Sequence, residues 1–200
     1  MLVMAPKRET TGGDTDQFDP VAVGKALKTA RKDAGMSMDD LAKRSGVSQP
    51  FISQLERGLF SPSLSTLYRI AAVLDLHPSA LLPSGPNGET KLVRAGHGAR
   101  LAMSDEPHSP SARMLSRPGH TNLEAFEYEI DSAAELTEWF EHSGEEFLLV
   151  LSGALTIEVE PEAPITLRRG DSLHFDAKAR HRWIAARQKP ARIVLIVART

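Results

Sequence analysis

The chain has 200 residues, no cysteine and a net charge of −2, which excludes disulfides and thiolate metal sites and leaves histidine and carboxylate as the ligands for any metal. No apolar run approaches the roughly 20 residues of a membrane span, and the start MLVMAPKRETTGG lacks the apolar core of a secretory leader, so a cytoplasmic protein with no membrane partner is expected. Charge is uneven: residues 19–83 carry 8 Lys and Arg against 6 Asp and Glu, residues 84–200 carry 14 against 17, and residues 1–18 carry 2 against 3. A balance of +2 over 19–83 favours nucleic acid only weakly, so the motifs must carry the argument.

Residues 1–18 are polar and too poor in apolar groups to pack, and read as a disordered tail. Asp19 and Pro20 open a first helix reaching about Ala34, with Val23, Leu27 and Ala30 on one face and Gly35 as its end. Ser37, with Asp40 three residues on, caps a second helix that closes at Gly46. Ser48 caps a third bearing Ile52 and Leu55 and ending at Gly58. Ser63 caps a fourth with Leu64, Leu67, Ile70, Ala71 and Leu74, and a fifth short helix is expected near Pro78 to Leu82. The breaker-rich run from Pro83 to Gly88 marks a boundary, giving a helical domain over 19–83, a linker over 84–90 and a second domain over 91–200.

In that second domain, apolar alternation predicts strands near 112–115, 123–130, 147–151, 155–160, 165–167, 172–175, 181–185 and 191–197. This number of short strands suits closure into a barrel, so the expected class is α+β with a five-helix bundle followed by an all-β double-sheet barrel. Even spacing places Glu146, Leu148 and Val150 on one side of their strand, opposite Phe147, Leu149 and Leu151, and His181 and Trp183 together on one side of theirs.

Ala42, Gly46, Val47, Ile52, the run Leu55-Glu56-Arg57-Gly58 and the Pro62-Ser63-Leu64 and Thr66-Leu67 pairs resemble the Cro and phage-repressor (XRE) helix-turn-helix family. The resemblance implies that the third helix enters the major groove of a DNA operator. Gln49 and Gln54 are then the candidate base readers, because glutamine pairs bidentately with adenine. Ser37, Ser48 and Ser53 lie at the implied interface as phosphate contacts, with Lys43, Arg44 and Arg57 adding nonspecific attraction. Phe51 is placed either against a thymine methyl or within the bundle. Met38 stands where the family usually has glutamine, which removes one phosphate donor. Arg31 and Glu56 match the family's interhelical ion pair, a structural role.

The stretches HSGEEFLLVLSGALTIEVE and LRRGDSLHFDAKARHRW resemble the two motifs of the cupin family. His142, Glu146, Gly153, Gly170 and His181 fit, whereas Phe140 replaces a histidine, Asp176 and Lys178 replace the usual proline and glycine, and Ala185 replaces asparagine. The resemblance implies that His142, Glu146 and His181 converge inside the barrel, with Phe126 or Tyr128 and Trp183 as apolar wall around an effector pocket. Two histidines and one carboxylate also suit a divalent metal (iron, nickel or zinc) as an optional occupant.

The two resemblances together imply a sequence-specific transcriptional regulator, not an enzyme, whose barrel senses a small molecule. It is expected to act as a homodimer on a palindromic operator, since one helix-turn-helix unit buries too little surface for specific affinity. The competing reading is a mononuclear non-haem iron oxygenase of the same architecture, similar to the fosfomycin-forming epoxidase. That enzyme class would have no use for the DNA-reading positions.

Overall fold

The computed structural model describes residues 18–83, 92–105, 109–119, 122–131, 138–185 and 190–198. The expected tail up to residue 17 and the linker over 84–90 lie outside these. Phe18, assigned above to the tail, is instead buried at 7% exposure in the helical core, one residue before the cap that starts the first helix.

Four α-helices follow: α1 (Pro20–Asp33), α2 (Met38–Ser45), α3 (Gln49–Glu56) and α4 (Leu64–Val73). Each begins where a short polar side chain takes up a free backbone N–H, namely Asp19, Ser37, Ser48 and Ser63. Ser37 and Asp40 form a reciprocal capping box, and Gly46 closes α2 at a φ of 71°, a left-handed conformation that costs a glycine nothing. The expected fifth helix is a 3₁₀ turn over Pro78–Leu81, because four residues cannot sustain an i to i+4 ladder. Gly24 decides how closely α1 meets α3: a Cβ there would lie 2.3 Å from the Leu55 carbonyl oxygen. Val23, Leu27, Leu41, Ile52, Leu55, Leu67 and Ile70 fill the space between the helices.

The second domain has nine strands: β1 (Arg100–Ala102), β2 (Ser111–Met114), β3 (Leu123–Ile130), β4 (Glu145–Ser152), β5 (Ala154–Val159), β6 (Ile165–Arg168), β7 (Ser172–Asp176), β8 (His181–Ala185) and β9 (Ala191–Ala198). They form a six-stranded sheet ordered β1-β2-β3-β9-β4-β7 and a three-stranded sheet ordered β6-β5-β8, paired antiparallel throughout. The three-residue β1 escaped the sequence reading because it is too short to show an alternating pattern. Phe126, Tyr128, Glu146, Leu148, Val150, Leu155, Ile157, His181, Trp183, Ile193 and Leu195 are all buried, as the period-2 geometry of their strands requires.

The two domains touch. Ser65 N–H, at the start of α4, donates to the Met103 carbonyl at 3.0 Å, and Thr66 Oγ1 donates to Asp105 Oδ2 at 2.6 Å. Beyond α4, Ser79 Oγ donates to the Gly119 carbonyl at 2.6 Å. The helical domain is thereby held against the barrel end from which His142 projects.

Candidate functional site

On the helical domain, Ser48, Gln49, Gln54 and Arg57 are exposed, and so is Ser37 at the start of α2. Ser53 is half-buried. Ser48 Oγ accepts the Phe51 N–H at 3.2 Å, and Arg57 Nε donates to the Ser53 carbonyl at 3.2 Å while its chain remains in solvent. Phe51 is half-buried, its ring centroid 5.1 Å from that of Phe60, so most of its surface is spent on packing. Met38 also lies against the core, which accounts for an apolar residue at that position. Behind this surface, Arg31 clamps Glu56 through Nε at 2.5 Å and Nη2 at 3.0 Å, and its Nη1 reaches the Met36 carbonyl at 2.7 Å. The clamp fixes the end of α3 to α1.

In the barrel, His142, Glu146 and His181 come together, with one ligating atom from each lying within 4.8 Å of the others. They arrive from three directions. Glu146 points inward from β4 in the larger sheet, His181 from β8 in the smaller sheet, and His142 from the segment before β4, held by its N–H on the Ala177 carbonyl at 3.0 Å. His142 Nε2 lies 2.9 Å and His181 Nε2 3.6 Å from Glu146 Oε1. Each histidine turns its Nδ1 to a backbone carbonyl, Ser143 at 3.2 Å and Ala179 at 2.8 Å, which leaves both Nε2 atoms aimed at the carboxylate.

Burial alone would raise the Glu146 pKa, but the hydrogen bonds and charges of the two histidines reverse this and hold it at about 2. Burial would lower His181, and Glu146 more than offsets that, so its pKa is raised. Glu146 Oε2 and Trp183 Nε1 are buried without a hydrogen-bond partner among the described residues. A buried acceptor and donor left over beside two oriented imidazoles fit a site that takes a metal ion or a polar ligand. Phe140, in place of a fourth ligand, stacks on His181 with centroids 6.1 Å apart.

The cavity at this cluster is small, about 20 Å³, lined by Leu64, Tyr68, Met103, Tyr128, Phe140, His142, Glu146, His181, Trp183 and Leu195. Phe126 does not line it. That ring is buried behind Tyr128, with centroids 6.2 Å apart, and belongs to the core. Tyr128 meets Trp183 edge-on at 4.7 Å. The sequence reading missed Leu64 and Tyr68, which come from α4: the Tyr68 ring lies 4.8 Å from that of His142. No local signal marks them, since helical spacing does not reveal what a helix packs against.

Glu124 was also missed, although its parity with Phe126 and Tyr128 on β3 placed a carboxylate on the inward face. It is 1% exposed, its Oε1 lies 3.2 Å from His77 Nδ1, and burial pushes its pKa up to about 7 against the opposing influence of Ser79 and His142.

Among known families, the Helix-turn-helix (HTH_3) profile matches residues 27–81 and the Cupin domain (Cupin_2) profile matches residues 126–197. The uncharacterized HTH-type transcriptional regulator y4dJ of Sinorhizobium fredii is 35% identical over 63 residues, which cover 31% of this chain and 82% of y4dJ. Similarity to the HTH-type transcriptional regulator SutR of Escherichia coli is 27% identity over 157 residues and reaches into both domains, covering 78% of this chain and 82% of SutR. The crystal structure of an HTH_3 family transcriptional regulator from Vibrio cholerae superposes with a TM-score of 0.64 at 25% identity, over 93% of this chain and 99% of that one. Other relatives match over shorter stretches of 58 and 61 residues: the chain spans 41% of Rv0474 of Mycobacterium tuberculosis and 55% of SinR of Bacillus subtilis, about half the length of these curated proteins. No helix among the described residues is long and apolar enough to cross a membrane.

Proposed function

We propose, for a chain that belongs to the helix-turn-helix (HTH_3) family of transcriptional regulators and carries a cupin domain, that it binds a pseudo-palindromic operator as a homodimer and that its second domain responds to a small ligand. The observation that carries the DNA half is the exposure of Gln49 and Gln54 on a capped helix held from behind by the Arg31–Glu56 clamp. In this reading both glutamines face base edges, and Ser37, Ser48, Ser53 and Arg57 meet phosphates. The free edge of Phe51 is available to a thymine methyl.

At the cluster, His142, Glu146 and His181 would hold a divalent ion such as iron, nickel or zinc, which would supply a fixed positive charge for a ligand to meet. We read the chain as a regulator and not as an iron oxygenase. What supports this is the exposed, capped helix α3 carrying Gln49 and Gln54, which an enzyme has no need of.

A competition assay at fixed salt, on an operator selected from random DNA by the full chain, tests the DNA half. Gln49→Ala and Gln54→Ala should each cut specific binding by roughly 1 to 3 kcal/mol while nonspecific binding stays nearly unchanged. Retention of the parent's operator preference by both variants would show that the readers lie elsewhere. Sedimentation at micromolar concentration should give a dimer, and a monomer both free and on DNA contradicts the two-half-site geometry.

A further inference from the structure

The geometry points to a ligand site outside the barrel, in the cleft between α4 and residues 138–143, and to a small organic cation as its occupant. This rests on reading the chain as a ligand-responsive regulator. The cavity at the histidine cluster, about 20 Å³, takes one ion or one water and no metabolite. Directly outside it lies a cleft of about 390 Å³, within the range of small-molecule sites, and the two spaces share Tyr68, Phe140 and His142 as their common wall.

The charge of the cleft selects the ligand. Asp75, Glu138 and Glu141 border it, and Asp75 and Glu141 have no ion-pair partner among the described residues. Arg69 is the one Lys or Arg in the lining among the described residues, and it already faces Asp105 at 3.7 Å and donates to Thr66 Oγ1 at 2.8 Å. Of the nearby cations, Arg180 and Arg182 lie over the Trp139 ring and pair with Glu160 and Glu158. His77 and His142 face Glu124 and Glu146. The C-terminal end of α4 also opens here through Ala72, Asp75 and Leu76, and its last turn carries no basic residue to offset the negative end of the helix dipole. An ammonium group is favoured on these terms, with an alkyl portion against Tyr68 and Phe140.

One wall of the cleft is the helix that follows the reading helix; the other is the barrel. A ligand touching both binds one arrangement of the domains better than another, and operator affinity changes by that difference.

Calorimetry on the full chain with n-alkyl amines and diamines of two to six carbons, and carboxylates of the same lengths as controls, tests this. An amine should bind at least about tenfold tighter than the matching carboxylate and should shift the affinity for the selected operator duplex. Ala72→Trp, an exposed position whose larger side chain fills the cleft, should abolish amine binding. Asp75→Asn combined with Glu141→Gln should weaken it about tenfold, with operator affinity in the absence of amine and cobalt binding at the cluster unchanged. The Asn fits the left-handed backbone at Asp75, where φ is 55°. Absence of amine binding at millimolar concentration, equal binding of carboxylates, or full binding by Ala72→Trp overturns the inference while operator binding persists. Loss of operator binding by the wild-type chain overturns the regulator reading instead.

Discussion

Each domain buries a carboxylate against nitrogen donors, and the two sites end in opposite states. Glu56 has both oxygens taken by Arg31, and Arg31 spends its remaining reach on the Met36 carbonyl, so nothing is left to bind. Glu146 shares one oxygen between two histidines and has the other buried and unpaired. A planar five-donor guanidinium can saturate a carboxylate by itself, whereas two imidazoles anchored through Nδ1 offer one atom each and leave capacity over. The first arrangement therefore fixes an angle between helices, and the second remains open to a ligand.

Breaking the closed pair should have the largest effect. Glu56→Ala strands Arg31 at a site where the two side chains are 9% and 5% exposed, and should cost roughly 3 to 5 kcal/mol of stability. Chemical denaturation measures it, and hydrogen exchange should place the first loss of protection in α1 and α3. A change below about 1 kcal/mol means that the pair is not the clamp described.

The open site should respond to filling. Cobalt(II) at about a hundredfold over its dissociation constant should raise stability by about 2.7 kcal/mol through binding to the folded state alone, and Glu146→Gln should abolish the gain. No rise in the wild type means that the unpaired oxygen serves a bound water and not a metal.

Glu124 sharpens the comparison, being another buried carboxylate, with a partner too weak to hold its charge. Its pKa, about 7 in the fold against 4.5 ordinarily, means that the folded state binds the proton more tightly. The associated stability is full below about 4.5 and is lost as pH rises through about 7. His77, His142 and Tyr128 are the titratable groups facing it. Unfolding free energy, measured by chemical denaturation, should fall between about pH 5 and about pH 8 by an amount on the order of 1 to 3 kcal/mol, and Glu124→Gln should flatten that slope. A wild-type profile as flat as the variant's contradicts the assignment.

The smallest effect belongs to the exposed Lys43–Asp39 pair at 2.7 Å on α2. Asp39→Ala should leave the melting midpoint unchanged within error, because solvent screens both charges. By freeing Lys43 it should, if anything, tighten nonspecific DNA binding at low salt, and weaker binding there would remove Lys43 from the DNA-facing surface.

The helical domain was legible almost to the residue, because its information is local: Asp19, Ser37, Ser48 and Ser63 announce helix starts by a chemistry that acts over three residues. The same holds within strands, where alternation placed Glu146 with Leu148 and Val150, and His181 with Trp183, on buried faces. The convergence of His142, Glu146 and His181 could be expected only from the cupin resemblance, since spacing within a strand says nothing about which sheet will face it.

What the chain alone determined, then, was the set of elements, their class and the side chains each turns inward, all consequences of backbone period and capping. Tertiary structure decided the rest. It put Phe126 behind Tyr128 and out of the cavity, buried Phe18 ahead of its helix, and set Tyr68 and Leu64 of the helical domain over the mouth of the barrel. These contacts join residues far apart in sequence, and no local preference encodes them. They follow from how two apolar surfaces exclude water together, which becomes defined only when both have folded.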